Sequence, residues 1–408
     1  MTTTFVIVGG GLAAAKAVEA LRESGFEGHL AVHGEEHHLP YERPPLSKGY
    51  LLGNDPLESA FVHPPEWYDA NGVDLRLGTR VTDLDLSGHQ VHTTGGSTGY
   101  DRLLLVTGAR PRHLALADDS GAPVAYLRTI EDSQRLRAAF APGRRIVIIG
   151  GGWIGLEAAA AARAADAEVT VLESLDLPLL RVLGPEVATS FADLHRKHGV
   201  DLRTNVTVAG IDNRDGHAVV RLGDGTALDA DLVVVGIGVT PNSELAESAG
   251  LKTDNGILVD EQLRSSDPDV FAAGDVANAL HPRLGRRVRV EHWDNAIEQG
   301  RAAARSMLGE EVSYDRLPYF FTDQYDLGME YVGHVGADGY DEVVLRGDPA
   351  GVFSAFWIGG GRVLAGMHVN DWDAIDPIRA LVGSTVPAAR LRDESASLAQ
   401  VAEEADRG

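Results

Sequence analysis

Two glycine-rich turns in this sequence have the spacing that proteins use to hold a pyrophosphate. The small residues of the turns are Gly9, Gly11 and Ala14 in the first and Gly150, Gly152 and Gly155 in the second. The first glycine of this pattern permits a tight turn, the second admits phosphates close to the backbone, and the third lets a helix pack on a strand. Free N–H groups at the helix start then bind the anion. The sequence therefore predicts two dinucleotide sites.

Carboxylates after the second strand of such a unit usually accept hydrogen bonds from ribose hydroxyls. Glu173 comes directly after the apolar run 169–172 and fits this role. A carboxylate there also repels a 2′-phosphate, so we expect NADH to be preferred over NADPH, with Arg181 as the nearest downstream basic residue. In the first unit the acid comes later, and we assign Glu35; a solvated acidic turn is the alternative.

The elements that must position these residues recur as one unit of strand, glycine turn, helix and strand. Residues 4–34 and 144–173 both have this order, with predicted helices over 12–24 and 154–165. Two copies of one βαβ unit predict an α/β protein with two Rossmann-like dinucleotide-binding domains.

Three later segments favour a flavin at the first site. Thr107 and Gly108 follow one buried strand, the run 235–242 follows another, and Asp275 comes after the glycine that ends a third. An aspartate in that place can accept hydrogen bonds from a ribityl chain, while a helix N-terminus faces the phosphate. Each segment alone is compatible with an ordinary glycine turn.

The last part of the chain has a different character. From about residue 321 strand-like runs dominate and a short helix is predicted over 375–382. We predict a discontinuous FAD-binding domain over 1–112 and 245–320, an NADH-binding domain over 113–244, and a C-terminal α+β domain over 321–408. The final dozen residues, rich in alanine and glutamate, are expected to fray.

Composition excludes several kinds of chemistry. The 408 residues contain no cysteine, which rules out disulfides, thiolate metal ligands and cysteine nucleophiles. The 15 histidines are scattered, so no metal site is expected. A formal net charge of −24 disfavours nucleic acid and anionic membranes. We find no signal-peptide pattern and no long apolar run, and expect a cytoplasmic protein.

The motifs together resemble a known group of flavoproteins. The chain is similar to the two-dinucleotide-fold reductases of the glutathione-reductase architecture, and among them to the ferredoxin reductases that serve bacterial oxygenases. The resemblance covers essentially the whole chain. It rests on the run 44–48 (PPLSK), both glycine patterns, the run 155–157 (GLE), Gly274-Asp275, and the run 323–325 (DQY).

This resemblance assigns roles to individual residues. Lys48 and Glu157 would form an ion pair beside flavin N5, where a lysine favours negative charge on the flavin. The implied FAD-binding residues are Gly9, Gly11, Ala13, Ala14, Glu35, Lys48, Val81, Thr107, Gly108, Arg128, Asp275 and Trp293. The implied NAD-binding residues are Gly150, Gly152, Ile154, Gly155, Glu173 and Gly238. Relatives often have tryptophan where this chain has Phe321, which leaves the route of electron exit open.

The resemblance implies a reductase that passes electrons from NADH through FAD to a 2Fe-2S ferredoxin serving an oxygenase, either a cytochrome monooxygenase or a ring-hydroxylating dioxygenase. The missing cysteines exclude disulfide reductases of the same architecture. The alternatives are an NADH reductase for rubredoxin or another acceptor such as a quinone, and an NADH-sensing flavoprotein like the apoptosis-inducing-factor group. A membrane-quinone enzyme would need an amphipathic anchor, and residues 386–408 are too charged for one.

Ferredoxins of such systems are acidic, so an acidic reductase would need a local basic patch. Arg301 and Arg305 are spaced to share one helix face and are our predicted docking residues. A solvated helix face is the alternative. We expect a monomer or a weak homodimer.

Overall fold

The computed structural model describes residues 3–336 and 339–406, which form two compact units of three segments each. Unit 1 contains Met1–Pro44, Pro56–Arg110 and Val239–Arg316, and unit 2 contains Pro45–Asp55, Pro111–Gly238 and Leu317–Gly408. The predicted NADH-binding and C-terminal regions thus share unit 2. The three-domain division remains a prediction.

Unit 1 has a five-stranded parallel sheet at its centre. The spatial order of its strands is Val270–Ala272, Arg102–Leu105, Thr4–Val8, His29–His33 and Val73–Arg76. Strands covered on both faces read as continuous apolar runs, and Val6, Ile7, Leu103 and Leu104 are all fully buried. The first glycine turn therefore follows a buried strand, Thr4–Val8, that is paired on both sides within this sheet.

Helices and smaller sheets cover the parallel sheet of unit 1. The helix Leu12–Glu23 packs on the helix Trp293–Met307. Two three-stranded sheets contain Val81–Asp85, Gln90–Thr93 and Gly96–Gly99, and Ile257–Val259, Ala277–His281 and Arg286–Val288. The shorter helices are Leu57–Ala60, Pro65–Ala70, Glu244–Ser248 and Gly274–Val276. Two further short strands are Ala109–Pro111 and Val239–Pro241.

Unit 2 repeats the parallel arrangement. Its first sheet has the spatial order Asp201–Arg203, Glu168–Leu172, Arg145–Ile149, Leu232–Val235 and Val124–Ala125. An antiparallel sheet of Val208–Arg214, His217–Leu222 and Ala227–Ala230 adds to the same core. Its helices are Gly49–Leu52, Ala115–Asp118, Ile130–Ala139, Trp153–Ala164 and Leu180–Lys197, and a 3-10 turn covers Pro44–Ser47.

The helix Leu180–Lys197 is bent near its start. Gly184 has φ 73° and ψ 170°, outside the helical region, and Pro185 follows. Because proline lacks an N–H and glycine tolerates this conformation, the pair breaks the helical hydrogen bonds there. Beside this break, the Leu183 carbonyl accepts a hydrogen bond from the buried indole N–H of Trp357 at 3.1 Å.

The rest of unit 2 is a five-stranded antiparallel sheet with helices. The strands lie in the order Tyr319–Gln324, Leu327–Gly333, Arg362–Val369, Phe353–Gly359 and Glu342–Gly347. The helices are Ile375–Leu381, Ala388–Arg392 and Leu398–Asp406. The expectation that the last residues fray is wrong for 398–406, because Leu398 and Val401 are buried and this helix packs on Ile375–Leu381.

Candidate functional sites

The first glycine turn joins the strand Thr4–Val8 to the helix Leu12–Glu23. Gly9 has φ 120°, and a Cβ there would lie 2.2 Å from the Val106 carbonyl oxygen, so only glycine fits. A Cβ on Gly11, by contrast, would meet no protein atom within 4 Å. The start of the helix therefore has open space beside its free N–H groups, as a pyrophosphate requires.

Other predicted FAD residues of unit 1 lie around this turn. Ala13 and Ala14 are buried in the first turn of the helix, and a Cβ on Gly274 would lie 3.4 Å from Ala13 Cβ. The short helix Gly274–Val276 thus places Asp275 near the glycine turn. These contacts fit a dinucleotide held at the carboxyl ends of parallel strands.

The remaining predicted FAD residues are more scattered. Glu35 is exposed and its carboxylate pairs with Arg80 at 3.2 Å. Thr107 and Asn242 exchange two hydrogen bonds, of 2.7 and 2.8 Å, beside Gly108, which has φ 66°. Val81 begins the strand Val81–Asp85, and Trp293 is the first residue of its helix. Arg128 belongs to unit 2, where its N–H donates to Asp132 at 3.1 Å.

The second glycine turn has the same construction. Cβ atoms on Gly150 and Gly155 would lie 2.3 Å from the Gly236 carbonyl oxygen and 2.1 Å from the Gly150 carbonyl oxygen. A Cβ on Gly152 would come no closer than 3.9 Å to any protein atom. Ile154, in the first turn of the helix, is 42% exposed. The turn therefore leaves room for a second pyrophosphate and an apolar contact at its edge.

Two further predicted NAD residues flank this turn. Glu173 Oε2 accepts a hydrogen bond from the Gly151 N–H at 2.8 Å, and its Oε1 accepts one from the Leu175 N–H, also at 2.8 Å. Gly238 has φ 102°, and its carbonyl accepts from the Arg112 N–H at 2.9 Å. A carboxylate held at the glycine turn is suitably placed to bind ribose hydroxyls.

Replacing Glu173 by glutamine is expected to lower the preference for NADH over NADPH by about tenfold, measured as the ratio of kcat/KM values. Glutamine keeps the carbonyl acceptor for Gly151 but removes the charge that repels a 2′-phosphate. Glu173→Ala should lower the preference as well, and should also weaken NADH binding by freeing the turn. Equal use of NADPH and NADH by the wild-type protein would contradict our assignment of Glu173.

Lys48 and Glu157 form a largely buried ion pair in unit 2. Lys48 Nζ lies 2.6 Å from Glu157 Oε1, and the two side chains are 17% and 5% exposed. The sequence separates them by 109 positions, and the resemblance alone predicted the pair. Lys48 Nζ also lies 5.4 Å from the ring centroid of Phe321, within the range of a cation–π contact.

Two hydroxyl groups that were not predicted as site residues also donate hydrogen bonds to Glu157. The Ser47 hydroxyl donates to Oε2 at 2.5 Å, and the Thr322 hydroxyl donates to Oε1 at 2.6 Å. With Lys48 this gives the buried carboxylate three donors, which offsets the free-energy cost of removing its charge from water. Ser47 lies within the run 44–48 and Thr322 directly precedes the run 323–325; these runs carried the resemblance and were the only signal for the two hydroxyl groups.

The predicted docking arginines lie on the helix Trp293–Met307 of unit 1. Arg301 pairs with Glu19 at 3.2 Å and with Glu298 at 3.5 Å, and Arg305 pairs with Glu310 at 2.7 Å. Both side chains remain about half exposed, at 43% and 54%. Acidic residues of unit 1 therefore already neutralise part of the positive charge of the two arginines.

The described residues contain neither a metal-ligand cluster nor a helix that could span a membrane. No cluster of three or more histidine or acidic side chains there could hold a metal ion. No helix within 3–336 or 339–406 has both the length and the apolar character needed to cross a bilayer.

Comparison with known proteins covers nearly the whole chain. The pattern of the pyridine nucleotide-disulphide oxidoreductase family matches residues 3–300, and that of the reductase C-terminal family matches 319–402. The anthranilate 1,2-dioxygenase system ferredoxin–NAD(+) reductase component of Burkholderia cepacia is 42% identical over 93% of this chain and 94% of its own. Putidaredoxin reductase of Pseudomonas putida is 39% identical over 97% and 96%.

Solved structures of two reductases are also similar to this chain. The reductase of a covalent putidaredoxin reductase–putidaredoxin complex superposes with a TM-score of 0.95 at 39% identity, covering 100% of this chain and 99% of that one. A ferredoxin reductase for the CYP199A2 system of Rhodopseudomonas palustris gives a TM-score of 0.93 at 37% identity, covering 98% and 99%.

Proposed function

Because the chain belongs to the pyridine nucleotide-disulphide oxidoreductase family, we propose that it is an NADH-dependent reductase that passes electrons through FAD to a 2Fe-2S ferredoxin serving an oxygenase. The predicted fold class, with two Rossmann-like domains and a C-terminal α+β region, is confirmed by the family matches and the solved reductases. The predicted cofactors, FAD and NADH, are confirmed by the same family. The cytoplasm remains our proposed location.

The single observation that carries this proposal is a chain with two dinucleotide-binding turns and no cysteine. Disulfide reductases of this architecture need a redox-active cysteine pair within the protein. Without one, electrons must leave for an acceptor outside the chain. Both of the curated relatives described above are reductases of this kind by name, and a solved neighbour is joined to its putidaredoxin.

Bound FAD supplies the means to take two electrons from NADH and to release them singly. The protein's own residues bind and orient the two dinucleotides. In our proposal the N-terminus of helix Leu12–Glu23 binds the FAD pyrophosphate and that of Trp153–Ala164 binds the NADH pyrophosphate. Lys48, held in place by Glu157, would supply a positive charge that favours negative charge on the reduced flavin.

The test is NADH-driven reduction of cytochrome c by the purified protein, with and without an added 2Fe-2S ferredoxin. We expect turnover to rise at least about tenfold with ferredoxin and to saturate. Flavin bleaching by NADH without ferredoxin-dependent turnover would contradict the proposed acceptor and favour another acceptor or a sensing role.

The same assay tests the proposed docking residues. Charge reversal at Arg301 and Arg305 is expected to raise the KM for ferredoxin and to weaken its dependence on salt, because it removes attraction to an acidic partner. Flavin bleaching by NADH should not change. Arg221→Glu is a matched control, since Arg221 is 55% exposed and pairs with Asp212 at 2.8 Å, much as Arg305 pairs with Glu310.

A further inference from the structure

A line of buried polar side chains leads away from Glu157 through unit 2. The Thr322 hydroxyl lies 2.6 Å from Glu157 Oε1, Gln324 Nε2 lies 3.2 Å from Thr322 Oγ1, and His195 Nε2 lies 2.8 Å from Gln324 Oε1. Thr322 and His195 are fully buried and Gln324 is 1% exposed. Buried polar groups of this kind are retained only where each finds a partner.

The chemistry of these groups permits one direction of donation. The Glu157 carboxylate is only an acceptor, so the single hydroxyl hydrogen of Thr322 points to it, and Thr322 Oγ1 must accept from the next residue. Gln324 therefore presents its NH₂ group to Thr322 and its carbonyl oxygen to His195. His195 must then carry its hydrogen on Nε2, which leaves Nδ1 as an acceptor.

The far end of the line agrees with this assignment. Burial lowers the pKa of His195 to about 4, so its ring holds a single hydrogen at neutral pH. The Tyr325 hydroxyl lies 3.4 Å from the bare Nδ1 of His195, and burial raises the pKa of Tyr325, so it keeps its hydrogen to donate. Every donation then runs toward Glu157.

Tyr325 occupies a backbone conformation that its residue type disfavours. It has φ 57° in the two-residue connection between the strands Tyr319–Gln324 and Leu327–Gly333. Glycine and asparagine are preferred in that place. The tyrosine ring instead stacks on His198, with centroids 3.8 Å apart and an interplanar angle of 12°. Its side-chain contacts account for a tyrosine in a turn that favours glycine.

We infer that Thr322, Gln324 and His195 are positioning residues that orient the Glu157 carboxylate and, through it, Lys48 for the reaction with NADH. This inference rests on the proposed function for the role of Lys48 itself. The contacts supply the mechanism. Lys48 and Thr322 share Oε1 of Glu157, so the threonine hydroxyl limits rotation of the carboxylate that holds the ammonium group.

Competitive acetylation of the FAD-loaded protein measures the reactivity of the Lys48 amine, which depends on how firmly Glu157 holds it. The chain has only four lysines, which mass spectrometry can follow one by one: Lys16, Lys48, Lys197 and Lys252. We expect Thr322→Val to raise acetylation of Lys48 relative to the exposed Lys252 by about threefold or more, because the carboxylate loses a donor and releases the ammonium group. Thr322→Ser, which keeps the hydroxyl, should restore the wild-type ratio.

The kinetic readout separates positioning from binding. Thr322→Val should slow the bleaching of flavin absorbance by NADH about tenfold, while the NADH concentration for half-maximal rate stays the same. Thr189→Val is the matched control. Thr189 lies on the helix Leu180–Lys197, and its hydroxyl donates to the Pro185 carbonyl at 2.7 Å, away from Glu157.

A pair of substitutions at His195 tests the distal part of the line. His195→Gln can place an amide nitrogen where Nε2 stood, so it should behave as the wild type. His195→Leu removes the donor and should raise the Lys48 acetylation ratio by a smaller factor than Thr322→Val. Equal behaviour of the two His195 variants would overturn the assignment of His195 and Gln324.

Two results with Thr322→Val would overturn the whole inference. One is an acetylation ratio and bleaching rate within about twofold of the wild type. The other is a joint rise in acetylation of all four lysines, which would indicate general loosening of the protein. Neither measurement uses a ferredoxin, so failure here is distinguishable from failure of the proposed acceptor.

Discussion

Replacing Lys48 by methionine is expected to slow the bleaching of flavin absorbance by NADH about 100-fold or more. Methionine keeps most of the side-chain volume but removes the ammonium group 2.6 Å from Glu157. The Glu157 carboxylate, 5% exposed, then stays in place with no positive partner. Its negative charge opposes the arrival of further negative charge from NADH. Stopped-flow absorbance measures the effect.

The double variant Lys48→Met/Glu157→Gln makes this prediction specific. With both charges gone, the rate should recover in part relative to Lys48→Met, and so should the free energy of unfolding, because no unpaired buried charge remains. Lys197→Met, at an exposed position of unit 2, is the matched control and should change neither quantity. A Lys48→Met rate within about threefold of the wild type would contradict the proposed role.

Adding one methyl group at each glycine turn is expected to separate the two cofactors. Gly11→Ala should lower the FAD content of the purified protein about tenfold or more, because the new Cβ fills the space proposed for the pyrophosphate. Gly152→Ala should leave the FAD content unchanged and raise the KM for NADH about tenfold or more. Flavin absorbance per protein and initial rates measure the two effects.

A third glycine substitution, at Gly9, is the control, because of the three only this one would make the added Cβ clash with the protein itself. Neither added Cβ meets a protein atom closer than 3.9 Å, so thermal unfolding of the FAD-free proteins should match that of the wild type. Gly9→Ala, whose Cβ would lie 2.2 Å from Val106, should unfold at a lower temperature instead. If Gly11→Ala retained full FAD content, the first turn would not be the pyrophosphate site.

The parallel sheets and their glycine turns were predictable because each is encoded locally. The helices predicted over 12–24 and 154–165 are observed as Leu12–Glu23 and Trp153–Ala164. A continuous apolar run followed by a glycine turn leaves few alternatives. The C-terminal helix Leu398–Asp406 was missed because only Leu398 and Val401 on it are buried, too few for a clear apolar face.

The hydrogen-bond partners around Glu157 could not be predicted from the sequence, because they come from distant parts of the chain. Thr322 donates to Glu157 across 165 positions, and His195 binds Gln324 across 129. A threonine, a glutamine and a histidine in a strand or helix are usually ordinary surface or core residues, and no local pattern marks their pairing. Only the fold joins them in one hydrogen-bonded line that ends at the Glu157 carboxylate.

The division of unit 2 into three segments has a consequence for recombining genes of related reductases. Lys48, Glu157 and Thr322 come one from each of the segments Pro45–Asp55, Pro111–Gly238 and Leu317–Gly408. A chimera that exchanges only the middle segment inherits Glu157 from one parent and its three donors, Ser47, Lys48 and Thr322, from the other. Transplanting the cluster intact takes three simultaneous exchanges, and the eleven-residue piece that carries Lys48 is the easiest of them to overlook.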